Sequence, residues 1–503
     1  MQFVKLSAPL LFAALVHAAP VTAGSCESLA SLTLPGATVT MAQPVAAGGF
    51  SIPGGRGAAA VSNLPAFCRV AVTLKPSTDS EIKMELWLPA SGWNGKFEGN
   101  GNGGWNGSIT PASLATGLTR GYAAAMSDLG HEGNTASFAM GHHEKLVDFG
   151  YRAAHEMTVA SKAIVAAYYA QPIKESYWNG CSGGGRSALM EAQRYPADYD
   201  GIVAGSPALD LTGRSTLAVW IAQASHKTEA SYIPPSKYAL VHNAVLAACD
   251  AKDGVKDGVL EDPTTCGFDP KELECKGADG PDCLSAAQVE TARAIYGPVT
   301  NPRTKQTIVP GFERGSEAGW ATMAGPQLFG LGGELFKFIV FQDPNWDYRT
   351  FDFDAGAAAT TKAENGILNT GDPNLKAFMD RGGKLIQYHG WADPQIPPGS
   401  SVRYYNKVLD TMGGTAKVQN FYRLYMVPGM AHCGGGDGTS NFDMLAALEQ
   451  WKEQGKVPDQ VPASRTREGK VDRTRPLCPY PQVAKYKGTG NTDDAASFVC
   501  AAP

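Results

Sequence analysis

Three side chains, far apart in a chain of 503 residues, have the types needed for acyl transfer: Ser182, Asp393 and His432. Ser182 is the centre of Gly180-Cys181-Ser182-Gly183-Gly184, a G-x-S-x-G element. A serine hydroxyl is a weak nucleophile until a neighbouring base takes its proton. His432, in Pro428-Gly429-Met430-Ala431-His432-Cys433, suits that role, first as base and then as acid. Asp393, in His389-Gly390-Trp391-Ala392-Asp393, suits the third role of fixing the imidazole tautomer and stabilising the imidazolium. Each residue alone has a plainer reading: a common Gly-Ser turn, a turn aspartate before Pro394, a loop histidine.

The elements around them strengthen the joint reading. Ser176 to Trp178 reads as a short strand and Arg186 to Ala192 as helix, so Ser182 falls on a strand-to-helix turn. Such a turn lifts the hydroxyl into a cleft and aims a helix N-terminus at a developing anion. Lys384 to His389 and Phe421 to Val427 read as strands, each followed by a loop that carries Asp393 or His432. The order Ser, Asp, His, each after a strand, is that of α/β-hydrolases. Glu81 to Leu88, Tyr122 to Met126 and Ile202 to Gly205 are further strands; residues 149–170 have helical apolar spacing, and Phe442 to Lys452 reads as a helix with Asn441 as its N-cap. Strand, helix, strand around Ser182 implies a parallel sheet and an α/β class.

Gly99 to Gly107 holds five glycines, three asparagines and Trp105. It reads either as a flexible surface loop or as an oxyanion loop, in which glycines let a backbone N–H approach a substrate oxygen. Asp128 and His131, on the loop after Tyr122 to Met126, are rival catalytic candidates; His155, inside the helical stretch, reads as a packing or surface residue.

Hydrophobic residues make up 43% and charged residues 18%, so a large core is possible; the net charge of −5, with no basic stripe, argues against a nucleic-acid partner. Lys5 followed by Leu10 to Val16 and small residues reads as a signal peptide over 1–23, and no later run is long enough to span a membrane. Ten cysteines without a C-x-x-C fit disulfides in an oxidising compartment better than zinc, and connectivity does not follow from spacing. Core segments are expected over 24–209 and 371–503. Between them, over 210–370, the strand-helix rhythm gives way to a lid-like insertion. It contains Cys249-Asp250-Ala251-Lys252-Asp253-Gly254-Val255-Lys256-Asp257-Gly258-Val259, an oxygen-rich loop suited to Ca²⁺ though not of EF-hand spacing.

Cys181 directly precedes Ser182, and Cys433 directly follows His432. Were the two bonded, their Cα atoms would lie about 5.5–6 Å apart, and those of Ser182 and His432 within roughly 13 Å. This Cys-Ser, Asp and His-Cys arrangement resembles the tannase and feruloyl esterase family. The resemblance runs over nearly the whole mature chain and includes the aspartate loop, His389 to Asp393, and Arg475-Pro476-Leu477-Cys478-Pro479-Tyr480-Pro481.

The resemblance implies an α/β-hydrolase fold with a large lid and a structural Ca²⁺ held by Asp250, Asp253 and Asp257 with the carbonyls of Val255 and Val259. It also implies oxyanion donors at the amides of Gly183 and Gly104, and disulfides Cys26–Cys68, Cys181–Cys433, Cys249–Cys266, Cys275–Cys283 and Cys478–Cys500. The expected activity is hydrolysis of phenolic or aromatic carboxylic esters through an acyl-enzyme, first of feruloyl type, with gallate esters or mono(2-hydroxyethyl) terephthalate as alternatives. Hydrolases of the last recognise its free carboxylate with an arginine in a longer lid; here Phe336 to Phe353 offers only Arg349, alongside Phe338, Phe341, Trp346 and Tyr348 as possible aromatic walls. A rival reading is a calcium-dependent binding protein on a hydrolase shell. The protein is expected to be secreted or periplasmic, a monomer or homodimer, with a small aromatic ester as its partner and neither nucleic acid nor membrane.

Overall fold

A computed structural model describes residues 24–52 and 62–503; the signal peptide expected over 1–23 lies outside them. Nine strands make one sheet: β1 (Ala37–Val45), β2 (Phe67–Leu74), β3 (Ile82–Pro89), β4 (Lys96–Asn100), β5 (Ala123–Ser127), β6 (Glu175–Cys181), β7 (Gly201–Gly205), β8 (Lys384–Gly390) and β9 (Tyr422–Val427). Their spatial order is β1-β2-β3-β5-β4-β6-β7-β8-β9. The first four in that order pair antiparallel. From β5 to β9 every pairing is parallel. Parallel strands are covered on both faces, and β5, β7 and β9 are accordingly buried at every residue. Their sequences, AAAMS, GIVAG and YRLYMV, show no polar-apolar alternation for the same reason.

Helices α1 (Pro111–Thr119), α2 (Ala153–Tyr169) and α3 (Gly183–Arg194) connect the strands up to β7. No segment between β7 and β8 joins the sheet. The intervening chain opens with α4 (Leu211–Ser225) and includes α5 (Tyr238–Cys249) and α6 (Ala286–Tyr296). It builds a second core from Leu217, Ile221, Val241, Val245, Ile295 and Trp320. α4 belongs to both cores, since Leu211 and Val219 face the sheet's cluster. An α-helix buried between two layers needs apolar residues all round, and Leu217 to Ala222 supply them in the middle of α4. Leu335, Phe336, Phe351 and Leu368 also return to the sheet's core, so the insertion is stitched to the sheet at both ends.

After β8 come α7 (Pro398–Met412) and, after β9, α8 (Met444–Gln454). The cap of α8 differs from the sequence expectation. Asp443, not Asn441, accepts the Ala446 amide at 2.8 Å. Asn441 is held outside the helix by paired backbone bonds with Ser464, and its side chain reaches Thr466. Among the described residues, no helix is long and apolar enough to cross a membrane.

Candidate active site

β6 ends at Cys181 and α3 begins at Gly183, so Ser182 alone makes the turn between them. It does so at φ 62° and ψ −119°. A residue with a side chain held there costs of order 1–3 kcal/mol. Backbone bonds hold it in place: the Ser182 N–H donates to Gly205 O at 2.9 Å, and its carbonyl accepts from Arg186 and Ala208 at 3.0 and 3.1 Å. The neighbouring glycines answer crowding rather than handedness. A Cβ on Gly180 would stand 2.6 Å from the carbonyl carbon of Gly184.

Ser182, Asp393 and His432 meet at the carboxyl edge of the sheet, following β6, β8 and β9. His432 Nε2 lies 2.9 Å from Ser182 Oγ, and His432 Nδ1 lies 2.7 Å from Asp393 Oδ2. The neighbouring cysteines are bonded, with Cα atoms 6.0 Å apart. Cys433, like Ser182, has a left-handed φ, 63°. The other four pairs are Cys26–Cys68, Cys249–Cys266, Cys275–Cys283 and Cys478–Cys500.

Asp393 is fully buried. Its Oδ1 accepts the amides of Gln395 and Ile396 at 2.8 and 3.0 Å. Burial pushes the carboxyl up, but His432 and His389 together outweigh it and hold it well below the usual carboxylate range. His389 is a participant that the sequence reading left inside a strand. Its Nε2 lies 3.1 Å from Asp393 Oδ2 and its Nδ1 2.7 Å from Ser401 Oγ. Gln387 Nε2 donates to the same Ser401 oxygen at 2.7 Å, and Tyr422 OH donates to Gln387 Oε1 at 2.5 Å. One proton arrangement satisfies the whole chain: Tyr422 to Gln387, Gln387 to Ser401, Ser401 to His389, His389 to Asp393. Asp393 is thus gripped from both sides by imidazoles. The legible signal was a histidine four residues before the aspartate, at a strand's end.

Gly183 and Gly104 are adjacent. A Cβ on Gly183 would stand 2.6 Å from Asn102 O and 3.3 Å from the Gly104 nitrogen. Gly104 has φ 56°. Among the described residues, neither N–H is engaged by another backbone carbonyl, and the Gly183 amide also opens α3, where the helix dipole favours an anion. The loop before Gly104 is not free. Gly99 and Asn100 belong to β4, and Asn102 Nδ2 donates to the carbonyls of Asn106, Ser108 and Ser127 at 3.2, 3.0 and 3.0 Å.

Neither rival candidate bonds to the triad. His131 Nε2 sits 2.8 Å from Trp105 O and so braces the glycine loop. Asp128 accepts the amides of Lys83 and Gly130 at 3.0 and 2.8 Å. His155 pairs with Asp198 and stacks on Tyr195, as a packing residue would. Arg349 is exposed and pairs with Asp347. Phe341 and Trp346 pack on one another and on Phe336.

The aspartate loop folds around its own amides. Asp250 accepts from Asp257 and Gly258 at 3.1 and 3.0 Å, Asp253 from Val255 and Glu261 at 2.9 and 3.3 Å, and Asp257 from Val259 at 3.2 Å. Asp257 also pairs with Arg475 at 2.5 Å and Arg473 at 3.3 Å. Burial, aided by Asp257 and Asp250, pushes the Asp253 carboxyl up to about 6. Among the described residues the one group of three such ligand atoms within 4.8 Å of one another is Cys275, Asp279 and Cys283, whose sulfurs are bonded to each other. The loop's donors fit a hard cation in kind, since they are all oxygens, although the carboxylates of Asp250, Asp253 and Asp257 are not gathered within 4.8 Å of one another. The loop also backs the turns that carry Asp393 and His432. A Cβ on Gly429, three residues before His432, would stand 3.1 Å from Val259 Cγ1, and Val259, Leu260, Trp391, Ala392 and Gly429 line one small cavity.

Residues 68–501 match the sequence profile described as tannase and feruloyl esterase. The chain belongs to that family. It is 37% identical to an uncharacterised esterase of Xanthomonas campestris, over 95% of this chain and 91% of that one. It is 34% identical to a probable feruloyl esterase B-2 of Aspergillus terreus, over 94% of each. The crystal structure of feruloyl esterase B from Aspergillus oryzae superposes with a TM-score of 0.88 at 30% identity, covering 95% of this chain and 99% of that one. This member of the family is a carboxylic ester hydrolase on an α/β-hydrolase fold.

Proposed function

We propose that the chain is a secreted serine esterase that cleaves esters of aromatic carboxylic acids, feruloyl esters first among them, through an acyl-enzyme. The observation that carries this is the continuous line from Ser182 Oγ through His432 to Asp393, beside two free amides. His432 takes the Ser182 proton as the hydroxyl attacks the ester carbonyl. The amides of Gly183 and Gly104 receive the charge that builds on the carbonyl oxygen. His432 then returns the proton to the leaving alcohol, the acyl group stays on Ser182, and water repeats the sequence in reverse. Asp393 keeps the imidazole in the one tautomer that does both.

Two further parts belong to this reading. Five disulfides support an oxidising, extracytoplasmic location. Ca²⁺ would be held by Asp250, Asp253 and Asp257 with the carbonyls of Val255 and Val259, supplying positive charge to an anionic loop. Its role is structural.

Methyl ferulate, methyl gallate and mono(2-hydroxyethyl) terephthalate, assayed side by side, test the substrate class. The expected result is the highest kcat/KM on ferulate; a dominant rate on either of the others reassigns the acyl group, and no rate on any aromatic ester overturns the reading. A fluorophosphonate that fails to label Ser182 would leave a binding protein on a hydrolase shell.

A further inference from the structure

Gly104 and Trp105 are the two central residues of a turn, closed by the Asn106 N–H donating to Gly103 O at 3.0 Å. Gly104 has φ 56°, and a left-handed residue at the first central position of such a turn selects glycine. In the mechanism above, the amide of this Gly104 receives the oxyanion. Trp105 fixes the turn that carries it. The residue is 1% exposed. Its carbonyl accepts from His131 Nε2 at 2.8 Å, and its ring packs on Phe149 with centroids 5.0 Å apart. A buried indole N–H needs an acceptor. That acceptor comes from 226 residues away: the indole N–H donates to Leu331 O at 2.9 Å.

Leu331 lies in the short helical turn Gly330–Glu334, inside the insertion. It meets the glycine turn twice. Its carbonyl holds the indole, and its methyl groups lie 3.2 and 3.4 Å from where a Cβ on Gly104 would stand. The helical turn is itself pinned at two further points. Gly332 fits against α4, where a Cβ on it would stand 2.6 Å from Ala218 Cβ. Glu334 Oε2 accepts the Ala136 N–H at 2.7 Å, close in sequence to Gly133 and Asn134, which pair with Gly107 and Asn106. Trp105 is thus held by its backbone from the sheet side and by its side chain from the insertion. An indole that served packing alone would need one acceptor of any origin. Here the acceptor belongs to the residue that also abuts the oxyanion glycine.

We propose that Trp105 is a positioning residue for the oxyanion hole: its indole bond to Leu331 O sets where the Gly104 amide stands, so that the insertion completes the catalytic site through a residue that does not touch the reacting atoms. The inference rests on the serine-esterase reading above, with Gly104 as one of its two oxyanion donors. Such a donor works over a narrow range, about 2.7–3.1 Å from the charged oxygen. A misplacement of about 1 Å can cost on the order of 10²-fold in rate. A neutral ester carbonyl gains less from the same N–H than an oxyanion does. A loosened turn therefore penalises the transition state and leaves substrate binding nearly intact.

The test is Trp105→Phe, which removes the N–H and keeps an aromatic ring. On methyl ferulate, kcat should fall roughly tenfold, with KM within about twofold of the wild type. Two ketone inhibitors read the oxyanion hole directly. Trifluoroacetophenone adds to Ser182: the bond from Oγ to the carbonyl carbon forms, the proton passes to His432, and the carbonyl oxygen becomes the anion. Acetophenone binds as the unreacted ketone. The preference for the first over the second should fall by the same factor of roughly ten. An unchanged kcat, or a loss carried by KM, overturns the proposal. So does an unmoved ketone preference, whatever the melting temperature, since Trp105 would then be a packing residue only. Should Trp105→Phe fail to fold, Glu334→Ala frees the far end of the segment that carries Leu331 and should lower the ketone preference. Glu334→Gln, which keeps an acceptor for the Ala136 amide, should restore it. A preference equal in the wild type and both Glu334 variants overturns the proposal. Failure of the serine-esterase reading looks different, because the wild type then binds the two ketones equally tightly.

Discussion

The triad edge and the aspartate loop are both fastened by a disulfide, Cys181–Cys433 in one and Cys249–Cys266 in the other, yet they are finished to different degrees. At the triad, both oxygens of Asp393 are engaged, and two imidazoles, two amides and one carboxylate hold together without help. In the loop, three aspartates lie within eight residues of one another, and the compensation is partial: of the three, Arg473 and Arg475 pair only with Asp257. The first site stores strain and needs no ligand to be organised. The second is relaxed in backbone but electrostatically incomplete. A protein can afford strain at its nucleophile only if something nearby is rigid, and Val259 packed behind the Gly429 turn joins the two.

The largest expected effect breaks the first site alone. Ser182→Ala should lower kcat by 10³-fold or more, on the order of what removing a nucleophile does in other serine hydrolases, with the melting temperature kept. Ser182→Gly should be equally inactive and more stable by about 1 kcal/mol, because glycine relieves the strain at φ 62°. Denaturant titration of the two variants checks this; an unchanged stability in the glycine variant would mean that the elbow is not strained.

Cutting the clip comes next. Cys181→Ser with Cys433→Ser frees the His432 turn over a separation of 252 residues. In the chain-entropy account that costs up to about 5 kcal/mol. Turnover should fall more steeply than stability, since the residue next to the base loses its anchor at φ 63°. Chelation of calcium should show the opposite balance. The melting temperature should drop by a few degrees, as loss of a ligand bound well above its Kd implies, while kcat at low temperature falls only modestly. A chelator that leaves the melting temperature unmoved removes the metal from the comparison.

The same contrast explains what could be read from the chain before folding. The nucleophile turn and the loops after β8 and β9 were legible because their chemistry is local: glycines around a serine, a strand's end, a histidine beside a cysteine. Five of the six parallel strands were legible as short runs; β4 was not, because Lys96, Glu98 and the glycine and asparagine that end it look like the start of the loop that follows. His389 was not, because its importance lies in a contact with Asp393 and in the Ser401–Gln387–Tyr422 chain behind it, which only the packing of α7 on β8 and β9 creates. Asn441 was mistaken for a cap because Asn and Asp signal alike; the strand pairing with Ser464 pulls Asn441 away and leaves Asp443 to do it. His131 and Asp128 had catalytic residue types but serve the glycine loop and a strand end.

His389 offers a finer cut through the triad. His389→Gln keeps the volume and one donor but cannot pass the Ser401 hydroxyl's bond on to Asp393 in the same line. We expect kcat to fall roughly tenfold with KM little changed, as for a lost orienting bond. Tyr422→Phe, three links away, should have a smaller effect of the same sign. Equal effects at both positions would mean that the chain stabilises the core and does not orient Asp393.

The smallest effect is in acid. The Asp393 carboxyl titrates lower in the folded protein than the ordinary value of about 3.9, because His432 and His389 outweigh its burial. A group whose folded pKa is depressed adds stability that is present above the unfolded pKa and is lost as pH falls through the folded one. The melting temperature of the wild type should therefore exceed that of Asp393→Asn by its full margin above about pH 4, and the margin should shrink below it. Both variants must carry the same disulfides for the comparison to hold, since the clip keeps His432 beside position 393 whichever residue stands there. A margin that is constant from neutral pH down to the acid limit of folding would show that the imidazoles do not hold the carboxylate ionised, and that Asp393 is kept in place by its two backbone amides alone.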